Sequence, residues 1–309
     1  MSSTVSKKVR TVLGDITSDE LGFTYSHEHL FAVPPSSQKD RDLELSDYDK
    51  SLEELVSFKS AGGQTLVEAS TIDYGRNASA YKKMALASGV NVVCTTGFNK
   101  QIYYPLWVSE KSIEEIADLM IRDIEVGIDG TEVKAGFLKT GSYYNLIHPL
   151  EEKVTHAVAL AYKKTGAPIW VHTEVGTMGL EMVELLEKDG VPLQDVAIGH
   201  LDRNCDPFYL LSIAKKGVYV QFDGPGKVKY YPDSTRIEML KILRDAGYLN
   251  QILISGDMGR ASYLKAYGGG PGFEFIIKKF IPRMLAEGFT ENEIKTIFYD
   301  NPKRWLARF

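Results

Sequence analysis

The chain carries six histidines, and four of them stand where short apolar runs end. His27 and His29 close one such run, two residues apart. On an extended strand that spacing puts both side chains on one side. His172 closes a second run in Val171-His172-Thr173, and His200 follows a third in Gly199-His200-Leu201. Asp257 follows another in Ser255-Gly256-Asp257, and Lys139 ends one in Leu138-Lys139-Thr140. Neutral imidazoles and a carboxylate gathered in one place suit Zn or a similar divalent ion. One histidine at a strand end is ordinarily hydrogen-bonded packing. Four in equivalent positions, with an aspartate at a fifth, point to a metal site. His148, ahead of Pro149, and His156, inside a helical stretch, read as structural.

Those runs belong to a regular series. Strands are predicted at 23–26, 65–68, 91–96, 134–139, 168–172, 195–199, 218–222 and 251–255. Between them lie amphipathic helix patterns with apolar residues three and four apart. One stripe is Leu52, Leu55, Val56 and Phe58, and another Ile113, Ile116, Ala117, Met120 and Ile124. Val183, Leu185 and Leu186 mark a third; Ile237, Leu240, Ile242 and Leu243 mark a fourth. Ser112 reads as an N-cap followed by acidic residues. A short hairpin is predicted around Val12-Leu13-Gly14-Asp15. Repeated strand–helix alternation without a composition break predicts an α/β fold, a (β/α)8 TIM barrel forming a single domain over 1–309. A doubly wound sheet would instead open with a Gly-rich phosphate turn. Here the first strand runs into Ser26-His27-Glu28-His29. In a barrel, strand ends distant in sequence converge over one mouth, the C-terminal face. The Pro/Gly clusters at 34–35, 224–226 and 268–272 fall in the loops of that face.

Composition narrows the function classes. The 309 residues are 44% hydrophobic and 25% charged, enough apolar mass for a large core. Thirty-six basic against 41 acidic residues give a net charge of −5. That lacks the basic surplus expected of a nucleic-acid partner. No apolar run reaches the ~18 residues of a membrane span. Residues 1–11 are polar and basic with no apolar segment behind them, against a secretory signal. Cys94 and Cys205 are too few for a disulfide framework and read as buried thiols in a reducing cytoplasm.

The motifs His27-Glu28-His29, Lys139-Thr140-Gly141, His172-Thr173-Glu174, Gly199-His200-Leu201-Asp202-Arg203 and Gly256-Asp257-Met258 together resemble the phosphotriesterase family of the amidohydrolase superfamily. The resemblance runs over residues 11–306. It implies a binuclear site, with Zn foremost and Mn or Co as alternatives. It implies that His27, His29 and Asp257 bind the buried ion, and His172 and His200 the more exposed one. Lys139 would be carboxylated on its amine and bridge both. A free ammonium beside two dications would be repelled, whereas a carbamate is anionic and bidentate. Forming it needs the neutral amine, which positive neighbours favour. Two metals ~3.5–4 Å apart hold a bridging hydroxide at neutral pH. Asp257 would take the hydroxide proton and pass it to the leaving oxygen.

Substrate choice falls to the loops. Lys100 and Tyr103 follow the third strand, Lys227 and Lys229 the seventh, Arg260 and Tyr263 the eighth. Cations among phenols suit a phosphate or carboxylate. These loops resemble the branch of the family that hydrolyses lactones of phosphorylated sugars. That implies a late-loop Lys, Arg and Tyr on the 5-phosphate, and Tyr103 near the metal-bound oxygen. The expected activity is opening of a phosphorylated sugar 1,4-lactone to its aldonate by the bridging hydroxide. The expected partner is a small anionic lactone, and relatives are commonly homodimers. One alternative is a phosphotriesterase or a lactonase for an uncharged substrate such as an acyl-homoserine lactone. The other is a metal-binding interaction barrel without catalysis, against which the complete ligand set speaks.

Overall fold

The computed structural model describes residues 7–309; residues 1–6 of the polar N-terminal stretch lie outside the described residues. The predicted hairpin is present as β1 (Lys8–Thr11) antiparallel to β2 (Gly14–Thr17). Eight strands follow: β3 (Thr24–Glu28), β4 (Thr65–Glu68), β5 (Asn91–Gly97), β6 (Phe137–Ser142), β7 (Ile169–Thr173), β8 (Val196–Ile198), β9 (Tyr219–Phe222) and β10 (Ile252–Ile254). They pair in chain order, each parallel to the next. The helices between and after them are α1 (Tyr48–Ala61), α2 (Ala78–Ser88), α3 (Trp107–Glu110), α4 (Ile113–Glu125), α5 (Pro149–Thr165), α6 (Gly179–Lys188), α7 (Pro207–Lys215), α8 (Asp233–Asp245), α9 (Ile281–Ala286), α10 (Glu291–Lys295) and α11 (Asn301–Leu306). This is the (β/α)8 barrel expected from the alternation.

The fourth strand departs from its predicted bounds. Expected at 134–139, it is found at Phe137–Ser142. Ala135 donates its N–H to the Asp123 carbonyl near the end of α4; the chain first meets β5 through the Gly136 N–H, on the Cys94 carbonyl at 2.8 Å, and pairs in register from Phe137. Lys139 therefore lies inside the strand rather than at its end. The α1 stripe also differs. Ser51, Glu54, Leu55 and Phe58 are buried, whereas Val56 is 43% exposed. A residue one step beyond Leu55 is rotated about 100° around the helix, away from the sheet. Ser112 caps α4 as expected: its hydroxyl accepts the Glu115 N–H at 3.1 Å, and its own N–H reaches the Glu115 carboxylate at 2.8 Å.

Strand residues alternate between two cores, as the two-residue period requires. Val67, Val93, Phe137, Trp170, Ala197, Tyr219 and Leu253 fill the barrel interior together with Trp305 of α11. Their neighbours Leu66, Val92, Leu138, Val171, Ile198 and Val220 face the helices. The barrel closes between β10 and β3 mainly by side chains, with a backbone bond from the Asp257 N–H to the His27 carbonyl at 3.2 Å. The Ser26 hydroxyl reaches the Ile254 carbonyl at 3.3 Å. The buried Glu28 carboxylate accepts the Ser255 hydroxyl at 2.7 Å and the N–H groups of Gly256 and Met258 at 2.6 and 2.8 Å. Cys94 and Cys205 are free thiols. Among the described residues no helix is long and apolar enough to cross a membrane.

Candidate metal centre and substrate cleft

The six expected ligands all line one cleft at the barrel mouth. Each arrives by its own local route. Lys139 and His172 share strand parity with the inward-facing Phe137 and Trp170. His27 does not follow that rule. Tyr25, two residues earlier, packs toward the helices. Between Tyr25 and Glu28 the register against β4 slips by one residue. That bulge turns His27 into the barrel, where its ring stacks on Trp170 at 3.8 Å. His29 lies just beyond the strand. His200 and Asp257 follow β8 and β10 with φ of 61° and 45°, a left-handed backbone that non-glycine residues rarely adopt. Gly199 is required beside them, because a Cβ there would fall 1.9 Å from the Trp170 ring.

The donor atoms converge. Asp257 Oδ1 lies 3.4 Å from both His27 Nε2 and His29 Nε2. One donor from each of His27, His200 and Asp257 lies within 4.8 Å of the others. His200 Nε2 and His172 Nδ1 are 3.0 Å apart. Two facing ring nitrogens can share one proton or can both hold a cation. Neither ring nitrogen of the buried His27 has a hydrogen-bond partner among the described residues. Burial holds the His27 and His200 imidazoles well below their ordinary pKa and lowers His29 as well. Buried, neutral and unpartnered nitrogens are costly unless a ligand takes their lone pairs. A divalent ion fits this donor set.

The surroundings orient the donors. Ser70 Oγ sits 2.7 Å from His29 Nδ1 and donates to Glu68 at 2.7 Å, leaving His29 Nε2 toward Asp257. Glu174 lies 3.0 Å from His172 Nε2, so Nδ1 faces His200. Asp223 accepts the His200 backbone N–H at 2.8 Å. Lys139 Nζ donates to the Ala69 carbonyl at 2.9 Å and sits 4.8 Å above the Trp170 ring. Burial brings its pKa down to about 8, which favours the neutral amine that carboxylation requires. Burial also opposes the charge of Asp257. Lys227, together with His27 and His29, nevertheless holds its carboxyl well below the usual carboxylate range.

The expected substrate residues divide by position. Tyr103, Lys100, Arg260 and Tyr263 line the cleft. Tyr103 packs edge-on to Tyr74 at 5.1 Å. The Lys100 ammonium is engaged by the Glu174 carboxylate. Arg260 is held from behind by Asp40 and Asp42 at 2.6 and 3.3 Å. Lys227 lies beneath the cleft, fully buried, bonded to the Asp257 carboxylate at 3.1 Å and to its carbonyl. Lys229 stands outside the lining, exposed, with its ammonium 4.8 Å above the Tyr263 ring. Sequence reasoning assigned no role to Arg203, Asn99, Glu174 or Tyr230, all of which line the cleft. Arg203 donates to Asp257 Oδ2 at 2.5 Å and covers the Tyr230 ring at 4.7 Å. The sequence showed it only as the last residue of the Gly199-His200-Leu201-Asp202-Arg203 motif, three after His200. His148 caps α5, and His156 pairs with Asp189 at 2.6 Å, both structural as expected.

A (β/α)8 barrel with imidazoles and a carboxylate gathered at its C-terminal mouth defines a hydrolase of the metal-dependent barrel class. The model of the Phosphotriesterase family matches residues 7–306, and the chain belongs to that family. A solved lactonase structure from Listeria monocytogenes is 40% identical, covers 98% of this chain and 99% of its own, and has a TM-score of 0.94. The Escherichia coli phosphotriesterase homology protein, solved with phosphate in its active site, is 39% identical over 93% of this chain and 99% of its own, with a TM-score of 0.90. A phospho-furanose lactonase of Mycoplasmopsis synoviae is 35% identical, over 97% of this chain and 92% of the relative.

Proposed function

We propose that the protein is a metal-dependent lactonase that opens a phosphorylated sugar 1,4-lactone to its aldonate in the cytoplasm. One observation carries the reading: a single cleft joins a convergent imidazole–carboxylate donor set to a wall bearing Arg203, Arg260, Tyr230 and Tyr263. The lactonase and phospho-furanose lactonase relatives support it.

His27, His29 and Asp257 would hold one divalent ion, His172 and His200 a second, with Lys139 carboxylated between them. Zn is the first choice, Mn or Co the alternatives. Such ions supply an activated water and a Lewis acid for the ester carbonyl. The protein does the rest. Water oxygen bonds to the carbonyl carbon, and the bond from that carbon to the ring oxygen breaks. Asp257 accepts the proton of the attacking water and delivers it to the departing ring oxygen, which becomes a hydroxyl. Arg203 and Lys227 keep that carboxylate aimed. The Tyr103 hydroxyl orients the lactone. Arg260 and Tyr263, with Lys227 beneath them, receive the phosphate. Lys100 acts through Glu174, and the exposed Lys229 draws the anion toward the mouth.

The test is turnover of Zn- or Mn-loaded protein on matched phosphorylated and unphosphorylated lactones. The phosphorylated member is expected to be hydrolysed at least about tenfold more efficiently. Equal rates on both would remove phosphate recognition from the reading. Arg260→Ala should weaken binding of the phosphorylated lactone by about 2–5 kcal/mol. An uncharged substrate is favoured instead if Arg260→Ala leaves catalytic efficiency unchanged.

A further inference from the structure

The cleft has a second wall, and its chemistry is opposite to that of the phosphate side. The loops after β5 and β7 present acceptors. Asn99 is 7% exposed and lines the cleft, and its Oδ1 has no hydrogen-bond partner among the described residues. Its backbone, not its side chain, anchors it: the Asn99 N–H meets both oxygens of Asp73 at 3.0 Å. The main chain at Asn99 is therefore held in place while its side-chain oxygen is left unpaired. Glu174 lines the same wall. Its Oε2 meets His172 at 3.0 Å and the Lys100 ammonium, while Oε1 makes no hydrogen bond to any described residue. Lys100 in turn sits 5.5 Å above the Tyr103 ring and 5.6 Å above that of Tyr143, which fixes the position of the carboxylate it holds.

An unpaired buried amide and a fixed carboxylate oxygen call for donors on the ligand. The lactone carbonyl and ring oxygen are acceptors only, and so is a phosphate dianion. A ring hydroxyl can donate to Glu174. It can also satisfy Asn99 whichever way the amide is turned, because it both donates and accepts. We infer that Asn99 and Glu174 form a hydroxyl-reading wall that selects lactones bearing free ring hydroxyls over deoxygenated ones. A ring lacking those hydroxyls leaves the wall desolvated and unpaired, and such a site rejects the analogue more strongly than an apolar pocket could. The inference rests on the lactonase reading above and narrows its substrate class.

The test compares a phosphorylated 1,4-lactone with its 2-deoxy and 3-deoxy analogues, using metal-loaded wild type and Asn99→Ala. Wild type should lose about tenfold or more in kcat/KM on at least one deoxy analogue. Asn99→Ala should fall to that same level on the parent, so that the parent-to-deoxy ratio approaches one. Calorimetric titration of the metal-free protein with the matching phosphorylated aldonates gives a readout independent of turnover, and the same ratio should appear in Kd. Wild type that treats parent and deoxy lactones alike overturns the inference, whatever the variant does. So does an Asn99→Ala that weakens all of them equally. If the phosphorylated lactones are turned over without regard to hydroxyls, only this inference falls. If none is turned over while an acyl-homoserine lactone is, the lactonase reading falls with it.

Discussion

At the scale of single residues the centre is governed by what burial does to charge. His27 is inside the protein, neutral, and without a hydrogen-bond partner among the described residues. Asp257 is the oxygen donor nearest it. His27→Ala or Asp257→Ala should each lower bound metal by about one equivalent in elemental analysis and abolish turnover. Full metal content in both variants would refute the assignment. His172 offers a pH-dependent check on the metal-free protein. Burial lowers its pKa from 6.5 to about 4, against the pull of Glu174. Between those values the unfolded chain binds a proton that the folded protein refuses. The His172 contribution is therefore present above pH 6.5 and is lost as pH falls toward 4. Urea unfolding of metal-free wild type and His172→Gln should show their stability difference shrinking across that interval. A difference independent of pH would contradict the buried neutral imidazole.

At the scale of elements, one arginine ties two loops of the mouth together. Arg236 of α8 is fully buried and bonds Asp202 at 2.7 Å, Asp233 at 3.1 Å and the carbonyls of Lys227 and Tyr231. It thus fixes the loop carrying His200 and Arg203 to the loop carrying Lys227. Arg236→Met would leave Asp202 as an uncompensated buried charge, a loss of about 3–5 kcal/mol. The measurement is the urea midpoint, with an unchanged slope showing that the fold itself survives. A loss below about 1 kcal/mol would mean that the ion pair is not holding the loops. Much at this scale was legible beforehand. All eight strands were found in the periodicity, because buried parallel strands are short apolar runs. The shifted start of β6 was not, because Gly136, the one break between Lys134-Ala135 and Phe137, reads equally well as a glycine inside a strand.

At the scale of the whole molecule, and among the described residues, the barrel is sealed between its first and last strands mainly by side chains, helped by a backbone bond from Asp257 to His27. Glu28 alone satisfies the Ser255 hydroxyl and two backbone N–H groups across that seam. Glu28→Ala leaves those donors buried and unpaired at about 1–3 kcal/mol apiece. It should lower the thermal midpoint while preserving far-UV circular dichroism at low temperature. Trp170 and Trp305 come from β7 and α11 and meet in the same interior core. Tryptophan fluorescence and circular dichroism should therefore report one coincident unfolding transition in the metal-free protein. Separated transitions would mean that the chain folds as more than one unit.

The sequence by itself determined the barrel, the hairpin and the identity of the candidate ligands, since each rests on residue type and on the periods of strand and helix. Only the tertiary structure decided where those side chains aim. Strand parity alone would send His27 outward with Tyr25, and a one-residue bulge reverses it. In sequence the loop cations could be ranked only by their distance from the candidate ligands, Arg260 first and Lys227 next; the structure sorts them by surroundings, with Lys227 buried on Asp257, Lys100 engaged by Glu174 and Lys229 in solvent. Arg203 and Asn99 acquire meaning only from neighbours distant in sequence, Tyr230 and Asp257 for the one and Asp73 for the other, or from the absence of a partner. A charge or an amide is read by what surrounds it, and in a closed barrel those surroundings are assembled from the full length of the chain.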